Sequence, residues 1–90
     1  MLVLPAVLTH ADASACLRML AQGLRSEAGD TVVADAAALQ HFDSSALAVL
    51  LECRREALAS GKRFAVRGMP ARLGELAGVY GVSELLPVAG

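Results

Sequence analysis

The residues able to carry chemistry gather in one short segment. Asp35, His41, Asp43, Ser44 and Ser45 fall close together, with His10, Cys16 and Cys53 elsewhere in the chain. Asp35 and Asp43 suggest a carboxylate pair for a cation. Ser44, with His41 three residues before it, suggests a nucleophile and its base. Neither pattern is complete. An esterase-type serine needs a sharp presenting turn such as G-x-S-x-G, and none is present. The two histidines are far apart and each falls in a predicted loop. The plain reading of the carboxylates is that Asp35 ends a strand and Asp43 caps a helix. Gly23, Gly29, Gly61 and Gly68 are isolated, so no glycine-rich loop cradles a phosphate. Cys16 and Cys53 lack a CxxC partner or a histidine at ligand spacing, and read as small buried hydrophobes. The sequence therefore predicts no catalytic residue, no metal and no cofactor.

The elements around that segment are legible. Thr31-Val32-Val33-Ala34 is a β-branched and apolar run that ends at Asp35. A small-residue loop over 36–42 leads to Asp43-Ser44-Ser45, three residues that favour a helix N-terminus. Helix-formers follow until Gly61 supplies a stop. At ~100° per residue, Ala46, Leu50, Cys53 and Ala57 share a core stripe flanked by Leu47 and Leu58. The opposite side carries Ser44, Ala48, Leu51, Glu52 and Arg55, with Ala48 and Leu51 placing apolar surface where a solvated face would be charged.

The string D-x(7)-D-S-S-A-L-A-V-L-L, from Asp35 to Leu51, resembles the signature of STAS domains (sulphate transporter and anti-sigma-factor antagonist), usually D-L-S-x-[VL]-x-x-[VMF]-D-[ST]-x-G-L. The ending LAGVYGVSELLP, from Leu76 to Pro87, looks like the MlaB-type branch, the small cytoplasmic subunit of Mla phospholipid-transport ABC complexes. The likeness spans about 6–88 and implies a single STAS domain over 1–90. It implies a non-enzymatic interaction module with an ABC-transporter ATPase subunit as partner, sitting in the cytoplasm at the periphery of an inner-membrane complex. The partner face is then Ser44, Ala48, Leu51, Glu52 and Arg55, with Asp35 and Asp43 supporting the motif. The alternative that the family offers is an anti-sigma-factor antagonist, switched by a kinase that phosphorylates Ser44. Ala46 stands where antagonists carry glycine, which favours the docking reading.

Composition bounds the chain to a single small domain. Ninety residues permit one modest core. Hydrophobic residues make up 56% and aromatics 3%, so the core must pack through Leu, Val and Ala. A net charge of -1, with acids and bases interspersed, gives no nucleic-acid footprint. No apolar run approaches the ~18 residues that a membrane span needs, and no signal peptide is evident.

The remaining segments complete an α/β reading. Residues 1–8 form one edge strand containing Pro5, where the family usually has a strand pair, so the pair is expected to be truncated. Asp12 or Ser14 caps a helix whose stripe is Ala13, Cys16, Leu17, Leu20 and Leu24. Residues 62–67 form a half-buried strand, with Phe64 and Val66 inward. Pro70 starts a third helix with Leu73, Leu76, Ala77 and Tyr80 inside, and Gly81 ends it. Leu85 and Leu86 are expected to pack back. The predicted fold is thus a small mixed β-sheet packed with about three α-helices.

Overall fold

The computed structural model describes residues 1–89. The chain runs β1 (Leu2–Val3), β2 (Val7–Leu8), α1 (Ala13–Ser26), β3 (Thr31–Asp35), β4 (His41–Phe42), α2 (Ser45–Ala59), β5 (Arg63–Arg67) and α3 (Ala71–Val79), then a 3-10 turn at Ser83–Leu85. It is the expected small α/β domain with three α-helices. Strand directions are more uniform than foreseen, because every registered pair is parallel.

β3 is the centre. It pairs on one side with β1 (Leu2↔Ala34) and on the other along the full length of β5 (Val32↔Phe64, Ala34↔Val66). The period-2 alternation of a strand then decides burial. Leu2, Val32, Ala34, Phe64 and Val66 are buried, whereas Val3, Thr31, Arg63 and Arg67 are exposed. α1 and α2 pack together over the buried side. Cys16, Leu20 and Leu24 from α1 meet Ala46, Val49, Leu50, Cys53 and Ala57 from α2 in one core.

The N-terminal segment departs from the single strand expected of it. It bends at Pro5–Ala6 and serves two sheets: β1 extends the β3–β5 sheet, and β2 pairs with β4. Proline at the bend explains the break, since it offers no N–H to a continuous ladder. The carbonyl of Ala6 instead accepts from the amides of Gln40 (2.8 Å) and His41 (3.0 Å). His41 and Phe42, expected in a loop, become a strand for the same reason. At the far edge, Val66 donates to Pro87 O and accepts from Ala89 N–H, each at 2.8 Å, so the tail closes the open side of β5. Leu86 packs in as expected, but Leu85 is exposed.

Two glycines hold turns at positive φ. Gly61, at φ +74°, follows the last turn of α2. Gly68, at φ +66°, sits against Ala37: a Cβ there would lie 2.8 Å from the Ala37 Cβ. The turn after β5 therefore lies directly on the loop that follows β3.

Candidate functional site

Asp35 and Asp43, the two motif carboxylates, each organise backbone. Asp35 Oδ1 accepts the Ala37 N–H at 2.9 Å, turning the chain as it leaves β3. Asp43 uses both oxygens. Oδ1 accepts the Ser45 N–H at 2.8 Å in the first turn of α2, and Oδ2 accepts the His10 N–H at 3.1 Å from the β2–α1 loop. The Ser45 bond, with the His10 bond behind it, holds the Asp43 carboxyl below its usual range. Among the described residues, no three His, Cys, Asp or Glu side chains come together around a common point. His41 is exposed on β4.

Ser44 is the N-cap of α2. Its backbone carbonyl accepts from Leu47 (3.0 Å) and Ala48 (3.3 Å), but its hydroxyl makes no capping bond. The side-chain bond at the start of α2 comes from Asp43, as expected of it, and the Ser44 side chain is left at the surface.

The proposed face of α2 divides once neighbours are considered. Ser44 and Ala48 are exposed, and Leu51 is half-buried against the core rather than outward. These three share a groove of about 340 Å³ with Leu47, Tyr80 and Val82. Glu52 is also half-buried, and it lines the neighbouring α1–α2 groove with Leu17, Ala48 and Val49. Arg55 is exposed and pairs with Glu52, its Nε lying 3.1 and 3.0 Å from the two carboxylate oxygens. That hydrogen bond holds the Glu52 carboxyl below its ordinary value, and it pushes the Arg55 guanidinium up. The two charges answer each other at one end of the face.

Two expectations about burial fail here. Tyr80 is 59% exposed instead of inside. It is the residue after the last turn of α3, so the helical period that buries Leu73 and Ala77 no longer governs it. Leu58, expected to flank the core, is also exposed, in line with Leu47 and Leu51 along α2 but nearer its end. The signal for Tyr80 was present in the sequence: a tyrosine directly before a helix-ending glycine lies on the terminus, not on the stripe.

An Asp-Ser pair at the start of the helix after the central strand is the arrangement that the motif implied. The family model described as "Mlab, STAS domain" matches residues 1–87. The chain belongs to the MlaB-type STAS family. It matches no curated protein. The match covers every element of the fold, including the strand bearing Asp35, the Asp43-Ser44 cap and the corner at Tyr80. No described helix is long and apolar enough to cross a membrane.

A larger depression lies elsewhere. A cavity of about 560 Å³ on the open face of the sheet is bordered by Met1, Glu27, Thr31, Val33, Arg67 and Ala89. Its charges are partly spent on each other, as the Met1 amine sits 2.5 Å from Glu27 Oε1. The groove beside Ser44 is smaller, and Leu47, Ala48, Leu51 and Val82 line it with the hydroxyls of Ser44 and Tyr80.

Proposed function

We propose that this domain is a non-enzymatic interaction module, which binds and supports the ATPase subunit of an Mla-type phospholipid-transport ABC complex through the face containing Ser44, Ala48 and Leu51. The observation carrying this reading is the groove that those residues form with Leu47, Tyr80 and Val82. Small side chains at 44 and 48 let a partner approach the helix closely. Leu51 and Val82 supply apolar area over the buried Leu47, and Tyr80 offers a rigid ring with a polar tip, a residue type favoured at interface centres. Because Leu51 is already half-buried, its contribution falls below the ~1.5–3 kcal/mol of a fully exposed leucine becoming buried. Glu52 and Arg55 lie toward the rim, where charge tunes association rate and selectivity. In this reading ATP and lipid are handled by the partners, and the domain works in the cytoplasm beside the inner membrane.

The test is an Ala48→Glu variant, which places a charged chain in the groove at an exposed position. It is expected to keep the circular dichroism spectrum and melting temperature of the native protein and to lose co-purification with the ATPase subunit. Met19→Glu, on exposed α1 surface, is expected to keep both. A folded Ala48→Glu protein that still binds overturns the reading.

A second reading draws on the exposed Ser44 hydroxyl, free of any capping bond at a helix N-terminus. There the domain is an antagonist of an anti-sigma-factor kinase and Ser44 is the phosphoacceptor. A phosphate would meet the favourable end of the helix dipole but also the Asp43 carboxylate beside it. Intact mass of the protein purified from cells decides: stoichiometric phosphate on Ser44 supports the switch, and unmodified protein supports docking.

A further inference from the structure

We infer that Asp43 is a positioning residue for the Ser44 face, a carboxylate clasp that fixes the first turn of α2 to the β2–α1 loop. The inference rests on the docking reading above for its functional consequence and on geometry for the clasp itself. One carboxylate joins two backbone amides that are far apart in sequence, His10 N–H at 3.1 Å and Ser45 N–H at 2.8 Å. Ser44 lies between Asp43 and one of those amides, so the clasp sets where its hydroxyl points.

The other side of the clasp is itself braced. Asp12 Oδ2 accepts from the Thr9 amide at 3.1 Å and the Thr9 hydroxyl at 2.9 Å, closing the turn that presents the His10 N–H. The loop thereby has a brace that does not involve Asp43. The charge of His10 acts on Asp43 in the same direction as the two amides. The covalent chain adds a further restraint, since His41 and Phe42 of β4 pair with Val7 and Leu8 of β2 just ahead of the loop. Asp43 is thus the polar end of a seam whose other end is a strand pair. An acidic residue before Ser44 is needed for its two acceptor oxygens: asparagine has one acceptor and must turn its amide group toward one of the two N–H donors.

The experiment pairs an NMR titration with binding measurements on the full chain. In native protein the His10 and Ser45 amides are expected to shift together with one midpoint as Asp43 is protonated, and Asp43→Asn is expected to abolish that shared transition. Asp43→Asn is further expected to weaken binding of the purified ATPase subunit about tenfold, while Asp43→Glu, which keeps both acceptors, recovers part of the loss. Separate midpoints for the two amides, or none, overturn the clasp whatever the partner does. A shared midpoint with native binding in Asp43→Asn overturns the positioning role and leaves the docking face intact, provided Ala48→Glu still loses the partner. Binding that survives Ala48→Glu overturns the docking reading instead, and the clasp is then decided by the two amides alone.

Discussion

At the level of single residues, the roles assigned by the motif separate into holding and presenting. Asp43 holds: its carboxyl is kept below the ordinary value by bonds that exist only in the folded chain. A carboxyl depressed by folding contributes stability above its unfolded pKa of ~3.9, and that contribution fades as pH falls through the lower folded value. Asp43→Asn is therefore expected to flatten the fall in melting temperature below about pH 4; an unchanged acid profile in thermal melts speaks against it. Cys53 shows the opposite sign. Burial pushes its thiol up to about 12, with Cys16 adding to the effect. The unfolded thiol ionises at ~8.5 while the folded one stays protonated, so stability is expected to drain as pH rises from about 8.5 toward 12. In native protein near neutrality both buried cysteines should resist thiol reagents and react fully only in denaturant. Rapid native labelling would contradict their placement. Reading these positions from the sequence worked where a residue type has one dominant use, as with buried cysteine and capping aspartate. It did not foresee the second partner of Asp43, because the His10 amide reaches that carboxylate only through tertiary contact.

Among the elements, α2 was legible because its stripe repeats over several turns: Ala46, Leu50, Cys53 and Ala57 are all buried as the period demands. Leu50→Ala, at a position with no exposure, should cost about 2–5 kcal/mol in denaturant unfolding. Short elements were not legible. Each two-residue strand has too few positions for a period, and β2 and β4 exist because they find each other, not because of local preference. Tyr80 is a different case: one residue past a helix end has no repeat to obey, and Gly81 marks that end in the sequence. The turn at Gly68 gives the sharpest element-level prediction. Alanine there meets both a positive φ and Ala37 at 2.8 Å, so Gly68→Ala should cost at least about 1–3 kcal/mol in urea unfolding. A neutral Gly68→Ala would mean that the two loops are not in contact. Gly61→Ala meets no neighbour, and is expected to show the backbone cost alone.

For the whole molecule, the sheet is covered by α1 and α2 on one side, while Thr31, Arg63 and Arg67 stay open on the other. Two surfaces can then compete for a partner: the open sheet face, and the groove where α2 meets the end of α3. Sequence pattern indicated the α2 half of that groove and the family; the α3 half emerged only when the chain was folded, since Ser44 and Tyr80 are brought together by tertiary packing. The central claim is that the partner uses the groove. Amide hydrogen exchange of the domain, alone and saturated with the ATPase subunit, tests it most directly. The account predicts slowed exchange in the first half of α2 and around Tyr80–Val82, with the edges of the open sheet unchanged. Protection confined to the segments carrying Thr31, Arg63 and Arg67, with the groove segments exchanging as in the free protein, would contradict it.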